Sequence, residues 1–128
     1  MRSCLAIAAL LLPLCVTAQP QSQADADPLV KRGQRLFLRC VSCHDVVDSN
    51  LVKIGPSLKG VLGRKVASVA GFTYSKSLGA LTFEWDEARL HAWLEKPTAV
   101  AAGTTMVFEG LAAEADRKAV IAFLGAQR

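Results

Sequence analysis

The feature that most constrains this chain is the run Cys40-Val41-Ser42-Cys43-His44. Two thiols three residues apart, followed at once by a histidine, form the pattern that fixes a c-type haem. Near the end of a helix the two sulfurs can reach the two vinyl groups of one porphyrin as thioethers, while the His44 imidazole reaches the iron on the same face. Size agrees with such a cargo. With 128 residues, 52% of them apolar and 20% charged, the chain suits one small domain whose modest core a haem would enlarge.

The first 18 residues stand apart from that domain. Arg2 precedes an apolar run from Leu5 to Val16 and then the site Val16-Thr17-Ala18, which reads as a secretory signal over 1–18, cut before Gln19. The run is shorter than the roughly 20 residues of a membrane span, which disfavours a retained anchor. Cys15 raises lipidation as an alternative, against which the bulky Leu14 stands. Residues 19–26 are polar and turn-forming, a flexible leader, and the domain is expected over 27–128.

Cleavage would remove Cys4 and Cys15 and leave Cys40 and Cys43, which are too close in sequence to staple distant elements. Haem attachment, carried out on the far side of the bacterial membrane, accounts for exported thiols. The expected location is therefore the periplasm of a Gram-negative cell.

Helical signals surround the motif. Asp27-Pro28 has the form of an N-cap with proline at the first helical position, and Leu29, Gly33, Leu36, Phe37 and Cys40 recur at helical spacing. Gly33 would let this helix cross the last one closely, with Phe37 meeting Val120 and Phe123. Residues 50–71 carry Gly55-Pro56, Gly60, Gly63 and Gly71 and predict loops wrapped around the haem. A second helix is predicted over 84–96, with acidic Glu84, Asp86 and Glu87 at its start, Leu90, Trp93 and Leu94 on one face, and Pro97 as its stop. A third is predicted from about Ala113 to Leu124, with Gly125 as terminator. No strand alternation competes, so the fold class is all-α: three main helices plus short helices and loops around one covalently bound haem.

The landmarks taken together resemble a class I cytochrome c, of the soluble mitochondrial and purple-bacterial type, over residues 27–126. They are Gly33 and Phe37, Cys40 to His44, Gly55-Pro56 with Gly60, Gly63-Arg64-Lys65, Gly71-Phe72 with Tyr74, Trp85, Leu94 with Pro97, Gly103 with Met106, and Ile121 to Leu124. The resemblance implies that His44 binds iron and gives its other ring N–H to the Pro56 carbonyl, a contact that fixes the ring and raises its basicity. It places Met106, the one methionine left after signal removal, as the sixth ligand, whose sulfur would raise the reduction potential. It implies that Arg64, Tyr74 and Trp85 compensate a haem propionate, whose burial without donors is costly.

The implied function is a soluble periplasmic electron carrier working between a quinol-oxidising bc complex and a terminal oxidase, photosynthetic reaction centre or dedicated dehydrogenase. It is not expected to be an enzyme, and it is expected to be a monomer with no nucleic-acid partner and no stable membrane insertion once the signal is gone. The alternative is a haem-containing subunit or peroxidase-like catalyst with an exchangeable sixth ligand. A haem-free thiol oxidoreductase or zinc site is a third reading; zinc would want four ligands, and beyond Cys40, Cys43 and His44 only His91 or a carboxylate remains.

Two departures from the resemblance alter polarity near the haem: Trp93 where many relatives have tyrosine, and Leu78 where many have asparagine. His91 is expected at the surface. The segment 98–105 carries no lysine, while Arg39, Lys53, Lys65 and Lys96 remain as docking cations, so electrostatic steering of partners should survive but weaken.

Overall fold

Asp27 begins the ordered architecture by accepting a hydrogen bond from the Leu29 amide (2.8 Å), the N-cap that its sequence position predicts. The computed structural model describes residues 27–48 and 53–128, so the signal (1–18) and leader (19–26) readings lie outside the described residues. Helix α1 then runs Pro28–Phe37. Its inner face is Gly33 and Phe37, whereas Leu29 stays exposed. Cys40 follows in tight turns, with Cys40 N bonded to Phe37 O (2.7 Å).

Three shorter helices follow: α2 (Lys76–Gly79), α3 (Glu87–Glu95) and α4 (Pro97–Val100). The predicted second helix begins three residues later than expected. Glu84 is held instead in an isolated antiparallel bridge with Lys65, and Asp86 caps the helix by accepting from the Arg89 amide (2.7 Å). Pro97 does not end the helical run outright. It terminates α3 through an extended Lys96 (φ −157°, ψ 93°) and then occupies the first turn of α4, where its missing N–H costs nothing.

Helix α5 spans Glu114–Gly125. Gly125 belongs to the helix, and Ala126 closes it in right-handed geometry, so the terminator role expected of the glycine is not used. Its lack of a side chain serves packing: a Cβ there would stand 3.0 Å from Leu62.

The α1–α5 crossing is the organising contact. A Cβ built on Gly33 would sit 1.9 Å from the Ala119 carbonyl oxygen and 2.7 Å from Phe123 Cβ, so only glycine lets the axes approach this closely. The Phe37 and Phe123 rings pack 5.2 Å apart, a geometry that adds about 1 kcal/mol beyond area burial, and Val120 is buried beside them. Arg32 donates to Asp116 across the crossing (2.6 Å). No strand occurs among the described residues, and no described helix is long and apolar enough to cross a membrane.

Candidate functional site

Between the α1–α5 crossing, helix α3 and the loops lies an apolar cleft of about 330 Å³. Cys40, Cys43, His44, Pro56, Arg64, Tyr74, Trp85 and Met106 all line it. Residues spread over 67 positions of sequence thus meet in one place.

The motif itself is a turn held from both sides. Cys43 N and His44 N bond to Cys40 O (3.0 and 2.8 Å), and Gly55 N bonds to Cys43 O (2.8 Å). Cys40 and Cys43 are not joined in a disulfide. Burial pushes the Cys40 thiol up, an effect only partly offset by the charge of Arg39. The His44 imidazole packs on Gly55 so closely that a Cβ there would lie 2.3 Å from Cε1. His44 Nδ1 stands 2.7 Å from the Pro56 carbonyl oxygen, so Nδ1 carries the proton and Nε2 keeps a free lone pair. Burial holds His44 below the ordinary imidazole value, against the raising effect of that hydrogen bond.

On the far side of the sequence, Met106 hangs in the segment after Gly103 (φ +83°), with its amide donating to Thr104 Oγ1 (3.3 Å). Arg64 donates to Lys59 O (2.9 Å) and Ser57 O (2.8 Å), which leaves part of its five-donor fork unused. Burial lowers its pKa. The Tyr74 hydroxyl accepts from the Val69 amide (3.2 Å) and retains its own proton for donation.

Trp85 and Trp93 stand edge to face, 5.5 Å between centroids, and both line the cleft. Neither indole N–H has a partner among the described residues, yet no fully buried side-chain nitrogen or oxygen among them lacks one. Both N–H groups are therefore donors available at the cleft. A cleft with apolar walls, paired thiols at its mouth, a tautomer-fixed imidazole, a thioether and unused N–H donors has the chemistry that haem c requires: apolar contact for the ring, sulfur for its vinyl groups and donors for its carboxylates.

Residues 30–127 match the sequence profile of the family described as Cytochrome c. The chain belongs to the cytochrome c family. It is 42% identical over 104 residues to cytochrome c2 of Rhodomicrobium vannielii, covering 81% of this chain and 82% of that one. It is 38% identical over 104 residues to cytochrome c-554 of Methylosinus trichosporium, covering 81% and 77%. Among solved structures, cytochrome cH from Methylobacterium extorquens superposes with a TM-score of 0.70 at 33% identity, over 76% of this chain and 97% of that one. The fold is that of a class I cytochrome c. The family carries covalently bound haem c and consists of electron-transfer proteins rather than enzymes.

Three residues near this site had roles that sequence reasoning missed. Gly55 was read as a turn residue and is also the seat of the His44 ring. Lys53 was read as a docking cation; its ammonium turns inward to Asp45 and two carbonyls. Arg117 is buried at 5% exposure, donating to Leu111 O, Ala112 O and His91 Nε2 (3.3 Å). His91 is accordingly half-buried against Arg117 rather than a plain surface residue. For Gly55 the adjacent Pro56 was a usable signal; for Lys53 and Arg117 the sequence carried none.

Proposed function

We propose that the protein is a periplasmic one-electron carrier whose haem c is bonded through Cys40 and Cys43, with His44 and Met106 as its axial ligands. The observation that carries this reading is the fixed tautomer of His44, whose Nδ1–H is committed to Pro56 while Nε2 is left for iron, in the same apolar cleft as Met106. Haem c, when bound, supplies a one-electron couple at its iron. Each cysteine would add its S–H across one vinyl group, with no leaving group. His44 and Met106 would fill both axial positions, leaving none for substrate. The Met106 sulfur favours ferrous iron and so raises the potential.

Arg64, Tyr74, Trp85 and Trp93 are the donors available to the haem carboxylates. A zinc site is less well supported, because no three His, Cys, Asp or Glu side chains converge as a metal-holding group among the described residues. Export through a signal over 1–18 would deliver the chain to the compartment in which haem is attached. Its partners would be a bc complex on one side and a terminal oxidase, reaction centre or periplasmic dehydrogenase on the other, met as a monomer.

The test is an absorption spectrum of the exported protein, oxidised and reduced, with a haem stain after denaturing electrophoresis. Haem that stays with the chain, together with the weak long-wavelength ferric band of methionine-sulfur ligation, is the expected result. Covalent haem without that band would point to an exchangeable sixth position and a catalytic role. Absence of haem in cells with a working attachment system would overturn the reading.

A further inference from the structure

Lys53 is among the most fully engaged cations of the described chain. Its ammonium lies 2.9 Å from an Asp45 carboxylate oxygen and donates to the carbonyls of Val41 and His44 (3.1 Å to the latter). Three acceptors match its three N–H bonds. The two carbonyls belong to the Cys40–His44 turn and are among those that a helical turn leaves without intrahelical partners. The side chains of Lys53 and Asp45 are only 20% and 21% exposed. Two residues on, Gly55 N bonds to Cys43 O and Gly55 carries the His44 ring, so segment 53–56 grips the motif turn along its length.

A positive and a negative charge thus flank the backbone of the histidine that faces the cleft, in a partly desolvated place where charges interact strongly. A docking cation needs to face solvent; this one faces the motif.

We propose that Lys53 and Asp45 form an opposed charge pair that positions the His44 turn and sets the reduction potential from the histidine side, with Lys53 raising it and Asp45 lowering it. The inference rests on the electron-carrier reading. Ferric haem bears one more positive charge than ferrous haem, so a nearby cation disfavours the oxidised state and a nearby carboxylate favours it.

Redox titration of the haem-loaded protein separates the two contributions by sign. Lys53→Met, which removes the positive charge beside Asp45, is expected to lower the midpoint potential enough to raise the oxidised-to-reduced ratio at a fixed poise by about threefold. Asp45→Asn is expected to shift it the opposite way, the double variant to lie near the wild type, and Lys53→Arg to restore the wild-type value.

If both single variants fall together, the pair is a strut whose loss admits water to the haem, and the proposal is overturned. It is overturned equally if neither moves. The wild-type spectrum is read first: failure to show covalent haem there defeats the electron-carrier reading itself, whereas a normal wild-type spectrum with same-sign shifts defeats only the charge pair.

Discussion

The α1–α5 crossing and the loops that wall the cleft are built on opposite plans. The crossing is complete in protein: Gly33 lies against Ala119, Phe37 against Phe123, and Arg32 is bonded to Asp116. The cleft is walled by apolar groups from the loops and helices, and Ile54 and Val107 among its lining residues are 82% and 100% exposed. Exposed apolar side chains around an apolar cleft mark surface meant to be covered. One region is a finished core, and the other is finished by its ligand.

The comparison breaks most directly at the finished core. Phe123→Ala should cost about 4 kcal/mol in guanidinium unfolding of the haem-loaded protein, since it removes a buried ring and leaves a cavity against Phe37. Gly33→Ala should cost about 3 kcal/mol, because the new methyl group meets the Ala119 backbone rather than a flexible side-chain end. Gly79→Ala, where a Cβ meets nothing within 4 Å, is the control and should be neutral or slightly stabilising. Equal effects at the two glycines would remove the close crossing from the account.

At the unfinished region, Gly55→Ala should cost less, about 1–3 kcal/mol, but under the proposed ligation by His44 its signature should appear in the visible spectrum as a displaced axial imidazole. A variant with a wild-type spectrum would show that the ring is not seated by Gly55.

Acid should act on the same place. His44 is held below the ordinary imidazole value by burial, so the unfolded chain binds more protons than the native one and stability rises with pH through this window. The contribution is fully present above about pH 6.5, the ordinary value, and is lost as pH falls through the depressed native value. Iron ligation by neutral imidazole would act in the same direction. Unfolding midpoints measured from pH 7 to 4 should fall, with the spectrum of the haem changing before the helical signal; the reverse order would contradict the contrast between the regions.

The smallest expected effect concerns partners. Arg39, Lys65 and Lys96 are exposed, Lys53 is turned inward and no lysine occurs at 98–105. The rate of reaction with a redox partner should therefore fall less steeply with salt than for lysine-rich relatives. An equally steep fall, measured by stopped flow, would place the docking charge elsewhere on the surface.

Much of the fold was legible because its signals are local. Asp27-Pro28 announces a helix start through the bond it makes two residues on, and Gly33 with Phe37 announces a close crossing through size alone. The start of α3 was misplaced because acidic residues at 84–87 look like a first turn, while Glu84 is claimed by a backbone bridge to Lys65, nineteen residues away. The site was legible in the spacing of Cys40, Cys43 and His44, whose chemistry needs three neighbours in one turn.

What the sequence by itself determined is the identity of the chemistry: two thiols, an imidazole and a helical frame, each encoded within a few residues. What only the tertiary structure decided is which polar groups face inward. Lys53 and Arg117 look like ordinary surface cations in the chain; Lys53 turns inward because the Val41 and His44 carbonyls of the motif turn lie within its reach, and Arg117 is buried because the chain just before its helix and His91 on another helix offer it acceptors. A buried cation is tolerated where acceptors surround it, and acceptors supplied by other elements leave no trace in local sequence.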